Sequence, residues 1–343
     1  MKLLFYDVAT PIAYTNTTIA ERGLGGTEAT IIRIAHSLKH EHTVYIAQHC
    51  RTAQEDSIFD GVSYLSLESA NQLLPDAVVL LREYEWIDRV GELFPHAKHY
   101  FWIHNFPPRD LYLTYHALLK YHFEIIAVSN FHKQTIVNRL KPRWYQNFYR
   151  AMVPHHAIKI SVIYNPIDDL LYPDYTVWDP NQLIFMSSPH KGLAECLKNF
   201  VKVAEQFPDL KLLVCNPGNW DHTLSIPANV HVLGAIPHDQ VIEHVRRSLC
   251  VFYPQTKRAE TFGLVYAESN AVGTPVLAHP VGSAKEILNG TTQLVNGKSI
   301  SAIIKKIAQW RTQRPVIVGK DEFRLKHITK KWLDLLMERP TSS

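Results

Sequence analysis

The sequence predicts an α/β protein of two doubly wound, Rossmann-like domains facing a cleft. Three observations carry that expectation. Short apolar runs alternate with longer amphipathic stretches from end to end, as parallel strands with helical crossovers require. The chain has 343 residues, enough for two domains of roughly 150 residues each. A punctuated stretch, Asn165-Pro166-Ile167-Asp168-Asp169 followed by Pro173, Asp174, Asp179 and Pro180, breaks the alternation near the middle and reads as a linker. The expected domains are therefore 1–165 and 166–320, with a last helix in 321–343.

In the first half, strands are expected at 3–8, 43–48, 62–65, 77–81, 98–103, 124–128 and 161–164. A helix at 27–39 places Ile31, Ile34, Ala35 and Leu38 on one face, and another at 130–139 follows Ser129, a good N-cap. The second half restarts with strands at 182–187, 211–215, 230–233, 249–253 and 275–278. Helices at 191–207, 238–247 and 263–272 lie between them, the last ended by Gly273 and Pro275. A final helix, about 321–337, lines up Phe323, Ile328, Trp332, Leu335 and Leu336, a stripe that can pack on either domain, including back on the first.

Composition narrows the function classes. With 46% apolar and 20% charged residues the chain is globular, which excludes disorder, collagen and coiled coil. A net charge of +4, not gathered into a long stripe, argues against nucleic acid as a partner. Cys50, Cys196, Cys215 and Cys250 lie far apart with no C-x-x-C pair, so neither a zinc knuckle nor a disulfide framework is encoded, and a reducing, cytoplasmic setting fits. The apolar run from Met1 meets Asp7 too soon for a signal segment, and no run approaches the ~18 residues of a membrane span. One segment, 139–150, alternates basic and aromatic residues and suits peripheral contact with a membrane or a lipid acceptor. An ordinary half-exposed helix of the acceptor domain is the plainer alternative.

Ligands of open α/β sheets sit at the carboxyl ends of the strands, and three polar groups fall there. Gly23-Leu24-Gly25-Gly26-Thr27-Glu28 opens a helix, where bare backbone N–H groups and the helix dipole suit a diphosphate; a simple turn is the alternative. Glu260-Thr261-Phe262-Gly263-Leu264-Val265-Tyr266-Ala267-Glu268 enters a helix. If most of it is helical, its carboxylates stand about 12 Å apart along the axis, a reach from sugar to ribose. The N–H groups of Phe262, Gly263 and Leu264 would then lie at a helix start, although a capping and a solvated glutamate would look the same. Ser187-Ser188-Pro189-His190-Lys191-Gly192-Leu193 ends a strand with a lysine that can neutralise a leaving diphosphate or simply face solvent.

Together these residues resemble the retaining glycosyltransferases of family 4, with the GT-B fold. The resemblance is carried by Gly25-Gly26-Thr27-Glu28, His104 in Trp102-Ile103-His104-Asn105, Ser129-Asn130, Asn165-Pro166-Ile167-Asp168 and Lys191-Gly192-Leu193. Glu260-x7-Glu268 followed by Gly273-Thr274-Pro275-Val276 is its most specific part. The resemblance implies transfer of a sugar from a nucleoside-diphosphate sugar to a hydroxyl of a glycan, a lipid-linked or a small-molecule acceptor. It implies that His104, Lys191 and Glu260 serve catalysis, His104 beside the donor sugar and the acceptor hydroxyl and Glu260 on the sugar's hydroxyls. Gly25, Gly26, Ser188, Phe262, Gly263, Leu264 and Glu268 would bind the donor, Glu268 through both ribose hydroxyls. Relatives carry an arginine where this chain has Met186, so one expected phosphate cation is missing. With no Asp-x-Asp in the chain, no metal or other cofactor is expected. An epimerase or phosphorylase on the same architecture, or a nucleotide-sugar-binding protein with a degenerate site, stays open beside the transferase.

Overall fold

A computed structural model describes residues 1–21, 24–140, 158–215 and 226–338. Most of the basic and aromatic segment 139–150 lies outside the described residues, as does Gly23. The chain divides into two compact units, one built from Met1–Asn16, Gly25–Pro166 and the residues from Leu325 onward, the other from Thr17–Leu24 and Ile167–Arg324.

The first unit holds an eight-stranded sheet made of β1 (Lys2–Asp7), β2 (Thr43–Gln48), β3 (Ser57–Phe59), β4 (Val62–Ser66), β5 (Ala77–Leu81), β6 (Lys98–Ile103), β7 (Glu124–Ala127) and β8 (Ile160–Val162), in the order β3-β4-β2-β1-β5-β6-β7-β8. All neighbours run parallel except β3 and β4. Leu3–Tyr6 of β1 and the whole of β5 are buried, because helices cover both faces of a parallel sheet and such strands read as unbroken apolar runs. The chain moves outward from β1 to β4 and then returns to lay β5 on the other side of β1, so the strand order reverses between β1 and β5. β3 was not anticipated. Its hairpin with β4 turns through Asp60 and Gly61, both at positive φ, the Asp-Gly signature of a tight two-residue turn.

The second unit holds β9 (Asp179–Phe185), β10 (Lys211–Cys215), β11 (Val230–Gly234), β12 (Ser248–Tyr253) and β13 (Val276–Ala278), all parallel, in the order β11-β10-β9-β12-β13. Here the order reverses between β9 and β12. The main helices are Leu193–Ala204, His238–Arg246, Leu264–Ala271 and Ile300–Thr312. The helix expected from 191 begins at Leu193 because Pro189–Lys191 form a 3-10 turn.

Within the stretch read as a linker, Ile167 is fully buried and bridges to Arg324, whose guanidinium also reaches the carbonyl oxygens of Asp168 and Asp169, while Leu170, Tyr172, Tyr175 and Val177 are exposed. The final helix runs Leu325–Met337, since Asp321–Phe323 are a 3-10 turn and Arg324 is extended; Phe323 stays in the second unit, edge-on to Phe262 at 5.3 Å. That helix packs in the first unit beside Gly26–Leu38, with Trp332 edge-on to Trp102 at 4.8 Å and to Phe5 at 5.9 Å.

Candidate active site

In each unit the polar residues gather where the strand order reverses, at the carboxyl ends of the two central strands, the place where open α/β sheets take ligands. In the second unit these strands are β9 and β12. β9 gives way to Met186, Ser187 and exposed Ser188, which begins the turn bearing Lys191; Lys191 N donates to the Ser188 carbonyl at 2.9 Å. β12 ends on Tyr253 and leads into the loop bearing Glu260.

Lys191 Nζ donates to Glu260 Oε2 at 2.8 Å, and the Tyr253 hydroxyl donates to Oε1, also at 2.8 Å. Glu260 is only 4% exposed, so these two donors are what make burial of its charge tolerable. Burial, with the Glu260 charge nearby, holds the Tyr253 phenol well above its usual range, and it remains a donor at neutral pH. The Glu260 backbone is pinned as well: Ser283 N donates to its carbonyl at 3.1 Å, and Ser283 Oγ donates to that of Phe262 at 2.6 Å.

The loop before Glu260 is ordered by Gln255, whose Oε1 accepts from the backbone N of Lys257 at 3.2 Å and of Arg258 at 2.8 Å. Glu195 takes the Thr256 backbone N and hydroxyl. Gly263 then caps the helix Leu264–Ala271 at φ 87°, and a Cβ there would lie 2.6 Å from the Tyr266 ring. Only glycine fits a left-handed position so closely overlaid. Because the helix starts at Leu264, Glu260 belongs to the loop, and the axial spacing expected of a continuous helix does not apply. Glu268, in the second turn and 4% exposed, has an ion-pairing neighbour: His238 Nε2 lies 3.2 Å from Glu268 Oε1, close enough for charge attraction but not aligned as a hydrogen bond.

In the first unit the strand ends are those of β1 and β5. Arg82, just past β5 at φ 66°, grips Asp7 at the end of β1 with one nitrogen, 2.7 and 2.8 Å from the two carboxylate oxygens, and donates to Glu28 Oε1 at 2.8 Å with another. The Tyr14 hydroxyl adds a bond to Asp7 at 3.0 Å. Gly25 caps the helix Gly26–Leu38, and a Cβ at Gly25 would fall 2.2 Å from Glu28 Oε2. Glu28 thus stabilises the positive end of its own helix and lies against the Gly25-Gly26 turn that the sequence assigned to a diphosphate. His104 follows β6 and is 6% exposed, its ring 4.4 Å from that of Trp102. Burial, reinforced by Arg82 and His132, holds its imidazole well below 6.5, so it is neutral at pH 7.

The second unit therefore joins Lys191 to Glu260, with Ser188 at the start of the same turn and Phe262, Gly263 and Leu264 leading into the helix that carries Glu268. Gly25, Gly26 and His104 belong to the first unit. The sequence reading missed Asp7, Arg82, Tyr253 and His238. Asp7 and Tyr253 close apolar strands and Arg82 follows one, so the strand-end rule that selected the other residues could have found them; His238 becomes visible only once Glu268 is placed.

A two-domain glycosyltransferase fold of GT-B type is the class these features define, and known proteins agree. Residues 179–332 match the family model described as Glycosyl transferases group 1. Among curated proteins, a GDP-mannose-dependent monoacylated alpha-(1-6)-phosphatidylinositol monomannoside mannosyltransferase of Corynebacterium glutamicum is 30% identical over 117 residues, which is 31% of this chain and 31% of that protein. The phosphatidyl-myo-inositol mannosyltransferase of Mycobacterium tuberculosis is 31% identical over 104 residues, 29% of this chain and 27% of its own length. Less than a third of each relative is matched. Among solved structures, trehalose-6-phosphate synthase OtsA aligns over 99% of both chains at a TM-score of 0.65 and 12% identity. The pneumococcal O-GlcNAc transferase GtfA, in complex with UDP and GlcNAc, covers 79% of this chain and 58% of its own at 0.58 and 18% identity. Residues 179–332 thus belong to the group 1 glycosyltransferases.

Proposed function

We propose that the chain transfers a sugar from a nucleoside-diphosphate sugar to an acceptor hydroxyl, with retention of configuration and with no resident metal ion. The observation that supports this best is the Lys191–Glu260 pair, set beside the glycine cap of the helix Leu264–Ala271 at the reversal point of the second sheet. Lys191, 41% exposed in its side chain, can turn from Glu260 to a diphosphate; Glu260 then accepts from the sugar's hydroxyls while keeping the Tyr253 bond. The backbone N–H groups at the helix start add to the stabilisation of the leaving charge, and Glu268 accepts from the ribose. The acceptor hydroxyl attacks the face that the diphosphate leaves, and a diphosphate oxygen takes its proton. Such a route asks the protein for positioning and electrostatics rather than for a nucleophile. The curated relatives are named for phosphatidylinositol lipids, which makes a lipid acceptor the first to try.

Removing Lys191 or Glu260 by substitution with Ala should lower turnover about a hundredfold, the scale of losing one charge-stabilising group, with circular dichroism unchanged. Release of nucleoside diphosphate from a labelled donor measures it. Unaltered rates in both variants would end the proposal, and donor binding without any release would leave a binding protein in its place.

A further inference from the structure

Glu268 is nearly enclosed, and the side chain set against it is His238, the first residue of the helix His238–Arg246. Pro237, extended at φ −55° and ψ 151°, caps that helix and delivers the imidazole to the carboxylate. The His238 side chain is 31% exposed and that of Glu268 is 5%, so the ring is the more accessible partner. A carboxylate able to swing could meet one hydroxyl as readily as two. One oriented in advance has already lost that freedom and favours a ligand presenting two adjacent hydroxyls.

We propose that His238 is a positioning residue for the donor's ribose: it holds the Glu268 carboxylate in the orientation that accepts a vicinal diol, and so sets the preference for ribo- over 2′-deoxyribonucleotides. This rests on the reading in which Glu268 takes the ribose hydroxyls. The test uses the full chain and whichever of ADP, GDP and UDP raises its melting temperature, with the 2′-deoxy form of that nucleotide as second probe. By calorimetry, His238→Ala should weaken the ribonucleotide about tenfold and leave the deoxy form nearly unchanged. His238→Gln, whose amide can donate to the same oxygen, should restore most of the loss. A variant that weakens both forms equally, or neither, overturns the inference. If Glu268→Ala abolishes the preference and His238→Ala does not, His238 alone is removed from the account. If Glu268→Ala leaves both affinities unchanged, or none of the three nucleotides binds, the ribose reading falls and the inference with it.

Discussion

At the scale of single residues, the second unit shows how a buried charge is made usable. Glu260 keeps its carboxylate out of water because one donor, Tyr253, is fixed and the other, Lys191, is half-exposed and able to leave. Gly263 makes the turn beside it. Gly263→Ala forces a Cβ into a left-handed position and onto the Tyr266 ring, and should destabilise the chain by about 1–3 kcal/mol, read as a lower urea midpoint. His132 in the first unit makes a pH prediction. Its Nδ1 accepts from the Val128 backbone N–H at 3.3 Å and its Nε2 lies 2.9 Å from the Asn105 carbonyl oxygen, while burial pushes the imidazole down to about 4. A depressed histidine is neutral in the folded chain while the unfolded chain takes up a proton. Its contribution is therefore complete above pH 6.5 and is lost as pH falls toward 4, by about 3 kcal/mol. Urea midpoints at pH 7 and 4.5 for wild type and His132→Gln should converge on a flatter dependence in the variant.

At the scale of elements, periodicity in the sequence located the strands of both sheets except β3, because a strand buried on both faces must be apolar along its length. The ends were set by other forces. The Gly263 cap starts the Glu268 helix one residue from where the sequence placed it and leaves Glu260 in the loop, and the Ile167–Arg324 bridge ties down the head of an otherwise exposed linker. Asp60-Gly61 did encode the β3 hairpin, but three residues, two of them exposed, are too short a run to announce a strand by pattern. The final helix carries its weight through Trp332, which is fully buried between Phe5 and Trp102. Trp332→Ala should cost about 3–5 kcal/mol and lower the melting temperature of the first unit, followed by near-ultraviolet dichroism.

At the scale of the whole chain, two sheets of the same winding each place charged groups at the reversal of strand order, yet their chemistry differs. In the first unit Arg82 is closed between Asp7 and Glu28, whereas the second offers a lysine that can be released. The proposed route meets the leaving charge with protein groups alone, and sugar transfer should continue undiminished in excess EDTA; loss of activity restored by a divalent ion would overturn that part of the proposal.

The sequence by itself determined the class of fold, since alternation of apolar runs is a local property of the chain, and the Glu260-x7-Glu268 element carried the resemblance to glycosyltransferases. Only the tertiary structure decided the partnerships: Lys191 with Glu260 across 69 positions, Arg82 with Asp7 across 75. Buried charges must find counter-charges in space, and which side chain answers which is set by how the strands are ordered in the sheet, information that no window of neighbouring residues contains.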